Sequence, residues 1–275
     1  MIELERIKNV CPKPLWKELR KIKWSIKSIP YRGNNLLDSK KTLFFCSCCG
    51  LQFRSFNTGN YLALPEQLDV KRYEHTKQNV ICPFCRSLPR HRILALWWEQ
   101  KEDWFKKSKV LYFAPDTCET IWMERENISY TSADLYRDAD LKIDIQNTGL
   151  PDSSYDIIVC NHVLEHVDDF RLALKEVYRV LKPFGSFICS FPMDPNIDLV
   201  DEDKSIITDE ERIRRFGQSD HKRVFGMKAG ELLEEAGFEV EEIRGDDFPE
   251  NILPVVGPAD YDMNILFHCR KMGKR

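Results

Sequence analysis

Four cysteines stand in two pairs with metal-ligand spacing, Cys46-Ser-Cys-Cys49 and Cys82-Pro-Phe-Cys85, separated by 32 residues. Four thiolates carried on two tight turns match the tetrahedral preference of Zn²⁺, and backbone N–H groups in such turns point at sulfur. Cys48 is an alternative ligand to Cys46 or Cys49. Four sulfur ligands close the coordination shell, so the ion would hold structure and leave no position for water. A redox role fits less well, because a thioredoxin-like pair follows a strand in a βαβ unit, whereas these pairs lie among loop-forming and aromatic residues. A second set of chemical groups, Asn161, His162, Glu165 and His166, crowds the end of the apolar run Ile157-Ile158-Val159-Cys160. His162 and His166 have the i, i+4 spacing of a zinc-binding pair, but the HExxH order and a third ligand are missing. A third set, Asp220-His221, lies in the polar stretch Arg214–Gly226. His221 is a candidate general base for a hydroxyl, with Asp220 beside it, because imidazole titrates near neutrality. A purely structural loop network is the competing role.

These groups need a frame, and the chain spells one out. Tyr155–Cys160 reads as a buried strand. Phe170, Leu172, Leu174, Val177, Tyr178 and Leu181 recur near helical spacing, with Asp168 and Asp169 at the start and Lys182-Pro183 at the exit. Gly185 marks a turn, and Ser186–Phe191 reads as a second strand. A parallel βαβ crossover is the economical topology, and open α/β sheets hold ligands at the carboxyl ends of their strands. Further strands are expected over Lys109–Ala114, Ile128–Leu135, Lys142–Ile145, Gly237–Ile243 and Asn264–Cys269, with helices after Arg90 and over Met227–Ala236. Met193–Ile213 forms an acidic insertion of the length that is usually functional or mobile.

The strings YDIIVCNHVLEH and EVYRVLKPFG resemble the fourth strand, following helix and fifth strand of class I S-adenosylmethionine (SAM) dependent methyltransferases of the type 11 kind. The likeness extends with decreasing strength over roughly residues 108–245. It implies an α/β, Rossmann-like sheet of seven strands, mostly parallel with an antiparallel final hairpin, and a small N-terminal zinc-binding module. CPxCxSxxRHR and FGQSDHKRVFG resemble segments of a group in this class that carries an N-terminal zinc extension and is linked to bacterial surface-glycan pathways; Lys222 and Phe225 depart from that pattern. On this resemblance SAM would lie against Phe113, Ala114 and Pro115, which stand where the family's glycine-rich loop is expected. Asp134, with Leu135, would take the ribose hydroxyls, Asp144 the adenine amino group and Ile145 its face. Asn161, His162 and His166 would lie beside the sulfonium. Phe184 replaces the family's usual glycine after the proline.

The chain has 275 residues, 43% hydrophobic and 31% charged, enough for one large core with a small module. Three parts are expected: a basic amphipathic helix in residues 1–33, a four-cysteine zinc module with a connecting helix in 34–106, and a methyltransferase domain in 107–275. A cytoplasmic location follows from the lack of a spanning run or secretory core. The net charge of −3 hides an asymmetry: residues 1–110 hold 22 Lys+Arg against 10 Asp+Glu, so the remainder is strongly acidic. A basic N-terminal part suits phosphates, nucleic acid or an acidic membrane. Leu15, Leu19, Ile22, Ile26 and Ile29 form a stripe that either docks on the protein or rests residues 13–29 on an anionic membrane. His91, in the helix after the second knuckle, reads as an interface histidine, with metal or substrate contact as alternatives. Three functions are in play: O-methylation of a small-molecule sugar or glycan acceptor, RNA or tRNA methylation through the basic module, and a non-catalytic zinc-dependent interaction protein with a degenerate SAM fold.

Overall fold

A computed structural model describes residues 13–33, 44–58, 79–249 and 265–273. Its centre is a six-stranded sheet. In chain order the contributing elements are α1 (Lys13–Gly33), β1 (Phe44–Cys46), β2 (Leu51–Phe53), α2 (Pro89–Glu99), α3 (Glu102–Lys106), β3 (Val110–Phe113), α4 (Thr117–Arg125), β4 (Thr131–Ala133), β5 (Tyr155–Asn161), α5 (Phe170–Val180), β6 (Leu181–Ser190), β7 (Met193–Asp194), β8 (Val200–Glu202), α6 (Asp209–Phe216), β9 (Arg223–Gly226), α7 (Ala229–Glu235), β10 (Phe238–Ile243) and β11 (Leu266–Lys271). The large sheet runs β10-β11-β6-β5-β3-β4. β4, β3, β5 and β6 are parallel, and β11 and β10 turn antiparallel at one edge. Where seven strands were expected, six form among the described residues. Within Lys142–Ile145 only Asp144 makes a bridge, to Asn147, and Leu141 just before it bridges Ala133, because the Asp144 carboxylate accepts the Gln146 N–H at 2.8 Å and bends the chain into a turn.

The period-2 rule of strands sorts the central residues onto two faces. Val110, Tyr112, Ile157, Val159 and Ile188 pack into one core with α2, α4 and the cysteine-bearing loops. Leu111, Phe113, Ile158, Cys160, Phe187 and Cys189 pack into the other, under α5 and α7. Both faces are covered, so β5 reads as an unbroken apolar run rather than an alternating one. α5 begins where the Asp169 carboxylate accepts the N–H groups of Arg171 and Leu172, and it buries Phe170, Ala173, Leu174, Val177 and Val180. At the expected turn, strand pairing starts already at Leu181, and the register shifts opposite Tyr155 and Ile157. Phe184 there takes a left-handed φ of 62°, mostly exposed with its ring edge against Gly273, while a Cβ on Gly185 would meet the Asp156 carbonyl oxygen at 2.8 Å.

The N-terminal parts share a core with the sheet. Trp98 stacks on Phe105 at 3.5 Å between ring centroids and meets Trp122 of α4 edge-on at 5.4 Å. Truncating such a buried tryptophan costs roughly 3–5 kcal/mol. The Arg92 guanidinium is fully buried and donates to the carbonyls of Val80 and Ser87, which ties the second cysteine knuckle to α2. α1 docks through Trp24 and Tyr31 on Phe84 and through the Arg20–Glu124 ion pair. Its Ile22, Ile26 and Ile29 point outward instead, each more than half exposed. The sequence stripe is therefore not the docking face, because aromatic and arginine side chains on the adjacent face bury more surface. No helix among the described residues is long and apolar enough to cross a membrane.

The insertion after Pro192 folds into a small sheet in the order β7-β9-β8, with α6 before its last strand. Thr208 caps α6, and Gly217 ends it in the left-handed region at φ 88°. Gly226 in β9 is held by close approach: a Cβ would lie 2.2 Å from the Ile197 carbonyl oxygen.

Candidate functional site

A cavity of about 540 Å³ opens at the carboxyl ends of β3, β4 and β5, in the size range of small-molecule sites. β3 delivers Phe113 and Ala114, and Ala114 takes a φ of 49° with its N–H donated to the Ala133 carbonyl. A small residue tolerates that left-handed geometry where a glycine-rich loop would otherwise be needed. β4 delivers Asp134 and Leu135, and the following turn Asp144 and Ile145, all on the wall. The Asp134 Oδ1 accepts the N–H groups of Tyr136 and Arg137 at 2.7 Å each, and Oδ2 accepts only Arg137 Nε at 3.1 Å. Oδ2 thus keeps a lone pair for a ligand hydroxyl. His162 and His166 also line the cavity, as does Asp220 across from them.

Three further residues expected at the site stand elsewhere. Pro115 is outside the cavity lining. Asn161 is buried beneath it, donating to Glu119 Oε1 at 2.9 Å and Tyr112 Oη at 3.3 Å and accepting from Ser190 Oγ. These bonds brace β5 against α4 and β6. His221 is buried as well, with Nδ1 3.0 Å from the Phe216 carbonyl oxygen, because the turn after Gly217 points its ring inward. Asp220 pairs with His166 instead, Oδ2 to Nδ1 at 3.2 Å. The sequence neighbours Asp220 and His221 therefore do not form one dyad.

Behind the wall, Glu165 is fully buried, and burial pushes its carboxyl up to about 8. Burial drives His162 the opposite way, well below the ordinary imidazole range. Arg223, almost fully buried, donates to the carbonyls of Leu164 at 2.6 Å, Val167 at 2.7 Å and Asp168 at 3.1 Å, and to Glu202 Oε2 at 3.2 Å. It fixes the histidine-bearing loop to the small sheet. Only its place in the FGQSDHKRVFG string marked it beforehand, since a lone arginine carries no signal for burial.

At the N-terminal side, one sulfur from each of Cys46, Cys49, Cys82 and Cys85 lies within 4.8 Å of the others. Cys46 and Cys85 are 3.6 Å apart, and Cys49 and Cys82 3.8 Å. Cys48 stands outside this set and turns toward Cys118. His91 is an interface residue: Nδ1 accepts the Leu88 N–H, and Nε2 lies 3.4 Å from Asp116 Oδ2 at the entrance to α4.

Residues 119–189 match a family model described as a methyltransferase domain. The matched segment runs from α4 through β4, β5 and α5 into β6, so the likeness lies on the parallel part of the sheet and on one wall of the cavity. Among curated proteins the chain is similar to the uncharacterized methyltransferase YcgJ of Bacillus subtilis, 35% identical over 78 residues, or 27% of this chain and 31% of the relative. It is also similar to the demethylmenaquinone methyltransferase of Listeria monocytogenes, 36% identical over 67 residues, or 24% and 28% of the two chains. The chain thus spans about a third of the length of these curated relatives. Similar solved structures include YcgJ from Bacillus subtilis, with a TM-score of 0.42 at 16% identity over 67% of this chain and 100% of that one. A Burkholderia thailandensis 1,6-didemethyltoxoflavin-N1-methyltransferase bound to S-adenosylhomocysteine gives 0.46 at 15% identity, over 67% and 78%.

Proposed function

We propose that the protein is a SAM-dependent methyltransferase that methylates an oxygen of a sugar or glycan intermediate, with an N-terminal module held by a structural zinc ion. The observation that carries the activity is the cavity, with an acid-bearing end at Asp134 and a histidine-bearing end at His166 and Asp220. The donor set fits SAM: a carboxylate with a spare lone pair for the ribose, the apolar Leu135, Ile143 and Ile145 for the adenine face, and a tight backbone loop at Ala114 for the methionine part. SAM supplies an activated methyl group on a sulfonium. The chain's share is to align an acceptor, exclude water and hold the acceptor hydroxyl, and the His166–Asp220 pair offers hydrogen bonds for that at the far end. The sugar reading rests on the FGQSDHKRVFG resemblance and on the polar character of this end.

Zinc is supported by the four converging sulfurs, which have the ligand count and closed shell of a structural site. Residues 13–29 are proposed to touch an anionic membrane, on the ground that Ile22, Ile26 and Ile29 are exposed beside Lys23 and Lys27. Incubation with labelled SAM and fractionated cell extract tests the activity, with label expected in a carbohydrate-containing fraction. Label in RNA would transfer the reading to nucleic acid, and failure to bind SAM in calorimetry would leave the interaction-protein reading standing.

A further inference from the structure

Glu165, His166 and His221 bring a carboxylate and two imidazoles to one point beside the cavity, with one ligand atom from each within 4.8 Å of the others. His162 of the i, i+4 pair stands outside this cluster; Glu165 takes its place, and His221 joins from a loop 55 residues downstream of His166. Two independent observations single this cluster out. The first is Glu165, fully buried with no hydrogen bond to either carboxylate oxygen. His162 Nδ1 lies 3.3 Å and His166 Nε2 3.9 Å from its Oε1. Buried carboxylates are otherwise satisfied by donors or by a metal ion.

The second observation is how the two rings are held. His221 Nδ1 faces the Phe216 carbonyl oxygen at 3.0 Å, and His166 Nδ1 faces the Asp220 carbonyl oxygen at 3.3 Å and its carboxylate at 3.2 Å. A ring facing such acceptors carries its proton on Nδ1, which places the lone pair on Nε2. Metal-binding histidines are oriented by outer partners of this kind. The cluster of His91, Asp116 and Glu119 shows the converse. There Nδ1 accepts the Leu88 N–H, so the Nε2 facing Asp116 bears the proton and cannot coordinate.

We propose that Glu165, His166 and His221 bind a divalent first-row transition-metal ion, at a site separate from the four cysteines. Two imidazoles and one carboxylate suit Zn²⁺, Mn²⁺ or Fe²⁺ rather than Ca²⁺ or Mg²⁺, which prefer all-oxygen shells. Three protein ligands leave positions open. His166 belongs to the cavity wall, so an oxygen ligand entering the cavity can reach the ion.

The test is metal binding by the full-length protein, independent of methyl transfer. The protein is saturated with Zn²⁺ and its bound metal counted by mass spectrometry, and a parallel sample is titrated with Mn²⁺ while free ion is followed by electron paramagnetic resonance. The wild type is expected to hold one more zinc ion per chain than His166→Ala and than Glu165→Gln, and to take up one Mn²⁺ that both variants lose. His166 is a third exposed, so its variant is expected to fold, as checked by circular dichroism. Equal metal content in wild type and folded His166→Ala would overturn the proposal, as would the absence of Mn²⁺ uptake together with equal zinc counts. If the cysteines hold no zinc, every count falls by one and the difference between wild type and variant still decides.

Discussion

Replacing Arg223 by alanine should loosen the loop that carries His162, Glu165 and His166. The guanidinium makes three hydrogen bonds to loop carbonyls, of Leu164, Val167 and Asp168, and a fourth to the Glu202 carboxylate. A hydrogen bond from a charged donor contributes roughly 1.5–3 kcal/mol. Water entering the space left behind would restore part of this, so the lower bound for the three carbonyl bonds applies, about 4.5 kcal/mol in all. For a chain of this size that is a drop of roughly 10 °C in melting temperature. Arg223→Lys keeps the charge but reaches fewer carbonyls and should lose about half as much. Glu202→Gln weakens two partly exposed ion pairs, with Arg223 and with Arg171, and should cost under about 2 kcal/mol. Urea unfolding of the three variants, followed by circular dichroism, measures the series. An alanine variant within about 1 kcal/mol of wild type would refute the reasoning, as would a lysine variant no better than alanine.

A zinc ion held by the four cysteines, as proposed, should on removal loosen the turns that carry them. Chelation, or Cys82→Ser, is expected to release one zinc ion and alter the fluorescence of Trp24, which packs on Phe84 beside the second knuckle. Acid should act through Glu176. Arg179 and Thr148 hold its carboxyl down at about 2, against an ordinary value of 4.5. Its contribution is thus complete above pH 4.5 and is lost as pH falls toward 2. The gap in urea midpoint between wild type and Glu176→Gln should therefore be full at pH 7 and shrink by pH 3; a gap independent of pH would argue against it. The paired change Ile26→Asp and Ile29→Asp should abolish salt-sensitive sedimentation with vesicles rich in anionic lipid, and a wild type that stays in the supernatant would end the membrane reading.

Continuous apolar runs marked β3, β5 and β6, because a strand covered on both faces needs no polar alternation, and the capped amphipathic pattern marked α5. The two cysteine pairs were legible from spacing alone, since tetrahedral coordination demands two short turns wherever the chain goes between them. Lys142–Ile145 misled because a carboxylate's bond to its own backbone competes with pairing, and that competition leaves no periodic trace. The stripe on α1 was visible, but which face of the helix would be covered was not. That depended on where Phe84, Phe53 and Glu124 stood in the folded chain.

Residue types and local spacing were enough to mark the central strands, α5, the sulfur cluster and the strand ends around which a ligand gathers. Pairing across sequence was decided only in three dimensions. The turn closed by the His221 N–H on the Gln218 carbonyl buries the His221 ring beside the Phe216 carbonyl, while Asp220 reaches out to His166. Neighbours in the sequence are thereby separated, and Glu165, His166 and His221 are brought together across a loop whose path no local pattern encodes.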